Sequence, residues 1–450
     1  MRKLQFYPLW LGILILLSIE GWAQSDKLQS GPMVGYSTMR EVMLWVQTTE
    51  KAEIHFEYWE KGTPQKRQKS EVYQTKKSEA FTARVPIALL EPGKKYNYEL
   101  FINKKKVNRS YPLEFQTQVL WQWRTDPPKV RFAFGSCSYI NDKPYDRPKK
   151  AYGTDYQIFD IIYKQKPDFM LWGGDNIYLR EADFDSKSGI LYRYTHTRSN
   201  PEIQPLLGNI HHYAIWDDHD FGPNDSDRSY PLKNETLNAF KLFWANPHYG
   251  IEQTDNKGIT GKFAWGDIEF FLLDNRYFRS PNLRKTGKRE MFTEAQTEWL
   301  LDALKNSYAS FKFVVAGGQF LNPEAYFENF AIYAEERQKL ISSIRDEKIA
   351  GVFFLSGDRH HTELTKLQEN SKVYPLYDLT CSALTAGTHA DEHHKNTLIV
   401  PETIVIDHNF AMMEITGKYG ERVLKITIID KDGNEKWTKS ISQTNLDYTD

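Results

Sequence analysis

The stretch that decides the fold is Phe169-Met170-Leu171-Trp172-Gly173-Gly174-Asp175-Asn176-Ile177-Tyr178. A short, continuously apolar run fits a strand buried on both faces, and two glycines at its end let the backbone turn sharply. That turn delivers a carboxylate, Asp175, to a strand's carboxyl end, where open α/β sheets place their ligands. A plainer alternative has Asp175 capping a following helix with Tyr178 packed beneath it.

The remaining strand ends weigh against that alternative. VRFAFGSC (130–137), HHYAIWDDHD (211–220), KFVVAGGQ (312–319) and GVFFLSGDRHH (351–361) are also apolar runs that stop at small and polar residues. Between them the pattern alternates. A helix is expected near 155–164, a hairpin-like pair over 263–276, and an amphipathic helix over 293–306 with Thr293 and Gln296 spaced as a capping box. The tail returns to strands, with a hairpin about Asp432-Gly433.

Side-by-side ends of such strands collect a thiol, several carboxylates, a phenol and histidines. Carboxylates that close raise one another's pKa and cannot all stay ionised unless cations hold them. A two-metal centre explains the set economically. It polarises a phosphoryl oxygen, activates a water and clamps the attacking and leaving oxygens.

The 450 residues carry 58 basic and 59 acidic side chains, so nothing in the overall charge favours nucleic acid or an anionic membrane. Met1 to Ala23 reads as a signal peptide: Arg2-Lys3, an apolar run from Leu9 to Ile19, then Gly21-Trp22-Ala23. Cleavage there starts the mature chain at Gln24 and makes the protein periplasmic or secreted. The alternative, an uncleaved anchor, has an apolar run short for a span, and no later stretch is long enough to cross a bilayer.

Residues 24–118 read as a small antiparallel sandwich, with short β-type runs at 42–48, 53–60, 80–89, 95–103 and 113–117. Leu90 to Tyr96 resembles a corner at which a tyrosine hydroxyl ties back to the chain. Residues 119–129, with Asp126-Pro127-Pro128, form a linker, and 130–450 a second domain. Cys137 and Cys381 would pair as a disulfide in an exported chain, unless Cys137 has another use.

GPMVGYSTMREVMLWVQ, FGSCS, WGGDNIY, WDDHDFGPND, LLDNRYFRS, TEAQTEWL and LSGDRHHTEL together resemble the PhoD-like alkaline phosphatase/phosphodiesterase family of calcineurin-type metallophosphoesterases. The resemblance spans nearly all of the mature chain. It implies an α/β fold of four layers, two mixed sheets flanked by helices, preceded by a small Ig- or fibronectin-like sandwich. It also implies Fe3+ at one site and Ca2+ at the other, with zinc or manganese as competitors for a similar ligand set.

By position, Cys137, Asp175, Tyr178 and His360 would bind the iron, and Asp175, Asp218 and Asp358 the second ion, with Asp175 bridging. His219 would contact phosphate or protonate the leaving oxygen. Asp217 and Asp220 are read as supporting carboxylates, though Asp217 and Asp218 could exchange roles. Arg276 either holds a phosphate oxygen or braces its loop, and Gln319 is a further candidate for the second ion. Arg359 is expected to point away, and His211 and His212 to pack or face solvent at a strand start. His389, His393 and His394 sit in a polar loop, either solvated or lining the substrate entrance.

The function implied is hydrolysis of phosphodiesters, and of phosphomonoesters, by a metal-activated hydroxide, in a monomer whose partner is a phosphate ester. A serine hydrolase would need a Gly-x-Ser-x-Gly elbow, and the chain has none. The remaining alternative is a non-catalytic extracellular binding protein on a degenerate metallophosphoesterase fold.

Overall fold

The computed structural model describes residues 27–148, 151–251, 258–389 and 396–448; the expected signal peptide, His393 and His394 lie outside them. Two large sheets face each other. The first runs in the order Glu435–Ser442, Val423–Asp430, Asn409–Thr416, Val130–Gly135, Phe169–Gly173, His211–Ile215, Leu28–Ser37, Val42–Thr48, Thr82–Ile87. The second runs Gly261–Trp265, Ile268–Leu272, Phe311–Val315, Val352–Ser356, Leu376–Thr380, Glu363–Leu367.

Both sheets are mixed. Val130–Gly135, Phe169–Gly173 and His211–Ile215 are mutually parallel, as are the four middle strands of the second sheet. Every residue of Phe169–Gly173 is buried, which is why that run shows no alternation. The faces meet through aromatic rings: Phe132 lies 5.4 Å from Phe313 and 5.1 Å from Phe270, and Phe169 lies 5.3 Å from Phe270. Offset and edge-on ring pairs of this kind add to the burial energy.

The five chemical strand ends therefore do not lie in one sheet. Those at Cys137, Asp175 and Asp218 come from the first sheet, and those at Gln319 and Asp358 from the second. They meet across the interface between the two.

The amino-terminal strands form their own cluster of buried residues around Phe56, Tyr98 and Phe115. Tyr96 ties the expected corner, its hydroxyl accepting from the Glu91 N–H at 3.0 Å. One face of this sandwich is continuous with the first large sheet, because Leu28–Ser37 pairs in parallel with His211–Ile215. His211 is buried at that seam, accepting from the Gln116 N–H at 3.2 Å and reaching the Gly35 carbonyl at 2.8 Å. Burial pushes it down to about 4, so it is a neutral joint. His212 is also buried, between Trp172 and the Leu206 carbonyl. The segment Asp126-Pro127-Pro128 is held too, with Arg422 donating to the carbonyls of Pro127 and Pro128.

The helix Glu294–Lys305 starts at Thr293, whose hydroxyl accepts from the Gln296 N–H at 3.1 Å. Only half of the expected capping box forms. Gln296 turns its amide to Asp274 and Thr260 instead, and so pins the helix to the loop that carries Arg276.

Candidate metal centre

The strand Val130–Gly135 ends at Cys137, Phe169–Gly173 at Asp175, His211–Ile215 at Asp217 and Asp218, and Val352–Ser356 at Asp358 and His360. Cys137, Asp175, Asp358 and His360 all adopt left-handed backbone, with φ of 58°, 51°, 68° and 57°. Such a conformation costs a non-glycine residue of the order of 1–3 kcal/mol and persists only where the surroundings impose it. Strain on this scale at four residues of three neighbouring loops marks a built site. The loops fit tightly: a Cβ on Gly317 would lie 2.2 Å from the carboxyl carbon of Asp217, so no side chain fits there.

Among the groups of candidate ligand atoms that lie within 4.8 Å of one another are Cys137, Asp175 and His360; Asp175, Asp218 and His219; and Asp217, Asp218 and Asp358. Asp175 is common to the first two and Asp218 to the last two. The first group mixes sulfur, oxygen and nitrogen; the third is all carboxylate. The structure thus brings together softer donors on one side and hard donors on the other, the division by which cations are selected. Tyr178 joins the first side, its hydroxyl 3.3 Å from His360 Nε2. His360 Nδ1 bonds the Gly387 carbonyl, which fixes the proton there and turns the Nε2 lone pair toward Tyr178 and the cluster.

Burial and the facing Asp218 carboxylate push Asp175 well above the ordinary carboxylate range. Burial raises Asp358 in the same way. Burial, then Asp175, raises the Cys137 thiol, and burial raises the Tyr178 phenol. Asp217 Oδ2, Asp218 Oδ1 and His219 Nδ1 are buried without a hydrogen-bond partner. Buried orphan oxygens on crowded carboxylates are costly. Cations would relieve both the crowding and the missing partners, so these residues fit a metal pair.

Supporting groups hold the acids in place. Asp220 accepts from the backbone N–H groups of Asn176 (3.1 Å) and Asp217 (3.0 Å), coupling the two acid-bearing loops. Asp217 Oδ1 accepts from Asn275 and Arg276. Asp217 and Asp218 each keep one oxygen for the cluster, so both face it. His219 donates its backbone N–H to Asp175 at 3.3 Å and packs its ring 4.3 Å from that of Tyr178. Burial lowers its pKa, leaving a neutral ring.

Several expectations are corrected. Arg276 is fully buried, with Asp217 on one edge and a bidentate contact to Glu328 at 2.8 Å on the other. Its donors are spent on carboxylates and it does not line the cleft, so it is a brace and not a phosphate contact. Gln319 donates its amide to Glu363 and Thr380, accepts from Asn322 and does not line the cleft, so it is held away from the second ion's place. Arg359 does not point away. The strand stops at Ser356, and left-handed residues on both sides turn Arg359 into the cleft. Alternation applies only within a strand.

Cys137 and Cys381 are both free thiols, so the disulfide is not formed. Cys381 faces the Phe134 carbonyl and Asn409 at 3.5 Å. Titration of unfolded, unreduced protein should return two thiols per chain, and none would contradict this arrangement.

The centre forms the floor of a cleft of about 980 Å³. Its walls include Tyr152, Asn224, Asp225, Arg289, Tyr326, Phe327 and His389. His389 is exposed there and stacks 5.1 Å from His360. The sequence offered little signal for the loop 324–329, which carries no motif and no periodicity.

Among solved structures, one described as the structure of PhoD superposes with a TM-score of 0.75 at 16% identity, covering 93% of this chain and 92% of that one. A Vps29 variant from Entamoeba histolytica covers 70% of this chain and 99% of its own at 10% identity, with a TM-score of 0.26. The sensor domain of an anti-sigma factor from Pseudobacteroides cellulosolvens covers 20% of this chain and 92% of its own at 18% identity, with a TM-score of 0.17. No curated protein matches the chain. Residues 25–120 match a family described only as a domain of unknown function, DUF7800. With residues 132–427 matching the other family model, well over half of its length, the chain belongs to the PhoD-like phosphatases, hydrolases of phosphoric esters.

Proposed function

We propose that this phosphoesterase is exported, by way of the leader at Met1 to Ala23, and cleaves phosphodiesters and, with them, phosphomonoesters. Cys137, Asp175, Tyr178 and His360 would hold ferric iron, and Asp175, Asp218 and Asp358 calcium, with Asp175 serving both. Bound there, the ions would neutralise phosphoryl oxygens and make water acidic enough to attack at neutral pH. The observation that supports this most is the convergence of four strained, left-handed residues on unpartnered carboxylate oxygens at the floor of one cleft.

The chain's own residues do the rest. His219 lines the cleft, is fixed by Asp175 and Tyr178, and would contact a phosphate oxygen, or protonate the departing oxygen once the anionic substrate beside it has raised its pKa. Asp220 and Arg276 keep the acid-bearing loops in register, so the charges are ordered before substrate arrives. Among the described residues no helix is long and apolar enough to cross a membrane.

The test is hydrolysis of bis(4-nitrophenyl) phosphate and 4-nitrophenyl phosphate by residues 24–450, before and after chelation and with calcium restored. Diester turnover that falls on chelation and returns with calcium is expected. Failure to cleave either ester, in folded and metal-loaded protein, would overturn the proposal in favour of a binding protein.

A further inference from the structure

The wall of the cleft facing the acids is built differently from its floor. Phe327 is 60% exposed although it borders a deep cleft, and its ring lies 4.9 Å from that of Tyr326. The Arg359 guanidinium stacks over both rings, 4.9 Å from the Tyr326 centroid and 4.5 Å from that of Phe327. All three side chains line the space above Asp175, Asp218 and Asp358.

The backbone is shaped to present this group. Phe327 and Glu328 are successive left-handed residues, with φ of 41° and 62°. Neither is glycine, so the turn is strained. It is held by Glu328, whose carboxylate takes two bonds from Arg276 and one from Asn282 and whose carbonyl accepts from Arg279 at 2.7 Å. A deeply anchored residue thus pushes its neighbour's phenyl ring toward water. Folding gains little from that, since an exposed ring buries little area.

Resting on the phosphoesterase reading above, we infer that Tyr326, Phe327 and Arg359 form a stacking subsite for a planar aromatic ester group, an aryl or nucleobase ring attached to the phosphate on the metal floor. Flat rings stack on aromatic side chains and on a guanidinium plane without sequence-like selectivity. The guanidinium also places a positive charge beside the phosphate. Small esters fit better than a nucleic acid polymer, because the chain's 58 basic and 59 acidic side chains leave no excess for tracking a backbone.

The experiment compares wild type, Phe327→Ala and Phe327→Tyr, all metal-loaded. Two quantities are read: kcat/KM for bis(4-nitrophenyl) phosphate relative to a bis-glyceryl phosphodiester, and calorimetric Kd for the non-hydrolysable 5′-methylenephosphonate analogue of adenosine 5′-phosphate relative to propylphosphonate. Phe327→Ala should lower the aryl preference and the nucleotide preference about tenfold each, through KM, while Phe327→Tyr retains both. Ratios that stay within about twofold of wild type in Phe327→Ala would overturn the subsite. If wild type cleaves neither diester, the phosphoesterase reading fails, while the Kd ratio still decides the subsite on its own.

Discussion

Replacing Asp175 by Asn should lower kcat/KM for a phosphodiester by about a thousandfold or more while leaving the fold intact, because it removes the carboxylate that joins the Cys137–His360 group to the Asp218–His219 group. The fold should not suffer. Asp175 is raised by burial and by Asp218, Asp217, Asp220 and Asp358, so in the metal-free chain its charge is a burden. A group whose folded pKa lies above its unfolded value favours folding at low pH, and that advantage is lost as pH rises through the window between the two values. Asp220, raised to about 7, acts in the same sense. The metal-free wild type should therefore lose stability as pH rises from about 4 through about 7, and Asp175→Asn should flatten that slope. Thermal melts of metal-free protein across this range, beside turnover of the metal-loaded form, separate the two effects. Substantial turnover in the variant would refute the shared-ligand role.

Removing Arg276 should do the opposite and attack stability first. Asp217 and Glu328 are both buried against it, and Arg276→Met would leave two carboxylates without their cation. Breaking one side of a buried ion network costs about 3–5 kcal/mol. Burial alone would raise Glu328, yet Arg276 and then Arg279 hold it well below the ordinary range. Denaturant unfolding of Arg276→Met, Glu328→Gln and the double variant measures the coupling. The double variant should recover part of the loss, because the neutral amide introduced by Glu328→Gln needs no cation. Fully additive losses would show that the pair does not act as a unit.

Much of the site was readable as apolar runs broken by small residues and acids, because a strand buried on both faces leaves no other use for a terminal carboxylate. The two-sheet arrangement was not readable from such runs, since WGGD and LSGD look the same whichever sheet they end. Leu28–Ser37 was hidden by Gly31, Pro32 and Gly35, which usually break strands. Here its pairing with Val42–Thr48 shifts register repeatedly, and a Cβ on Gly35 would lie 2.5 Å from that of Ala245. The helix Lys187–Arg198 showed no apolar stripe because Arg193 and Arg198 are themselves buried, one paired with Asp183 and the other stacked on Trp244. Arg359 and Phe327 were missed for a further reason. Their direction comes from left-handed backbone, which side-chain pattern does not encode.

The parallel pairing of Leu28–Ser37 with His211–Ile215 also sets a timetable. The two strands meet where His211 reaches the Gly35 carbonyl, 176 residues further back along the chain. At the usual pace of synthesis, roughly 5–20 residues per second, the earlier strand waits roughly 9–35 s for its partner to be made. Through that interval one edge of the sandwich is an open template for pairing with other chains. The newborn protein is thus most exposed to aggregation before any catalytic residue beyond Tyr178 exists, and a chaperone that covers Leu28–Ser37 would act in that interval.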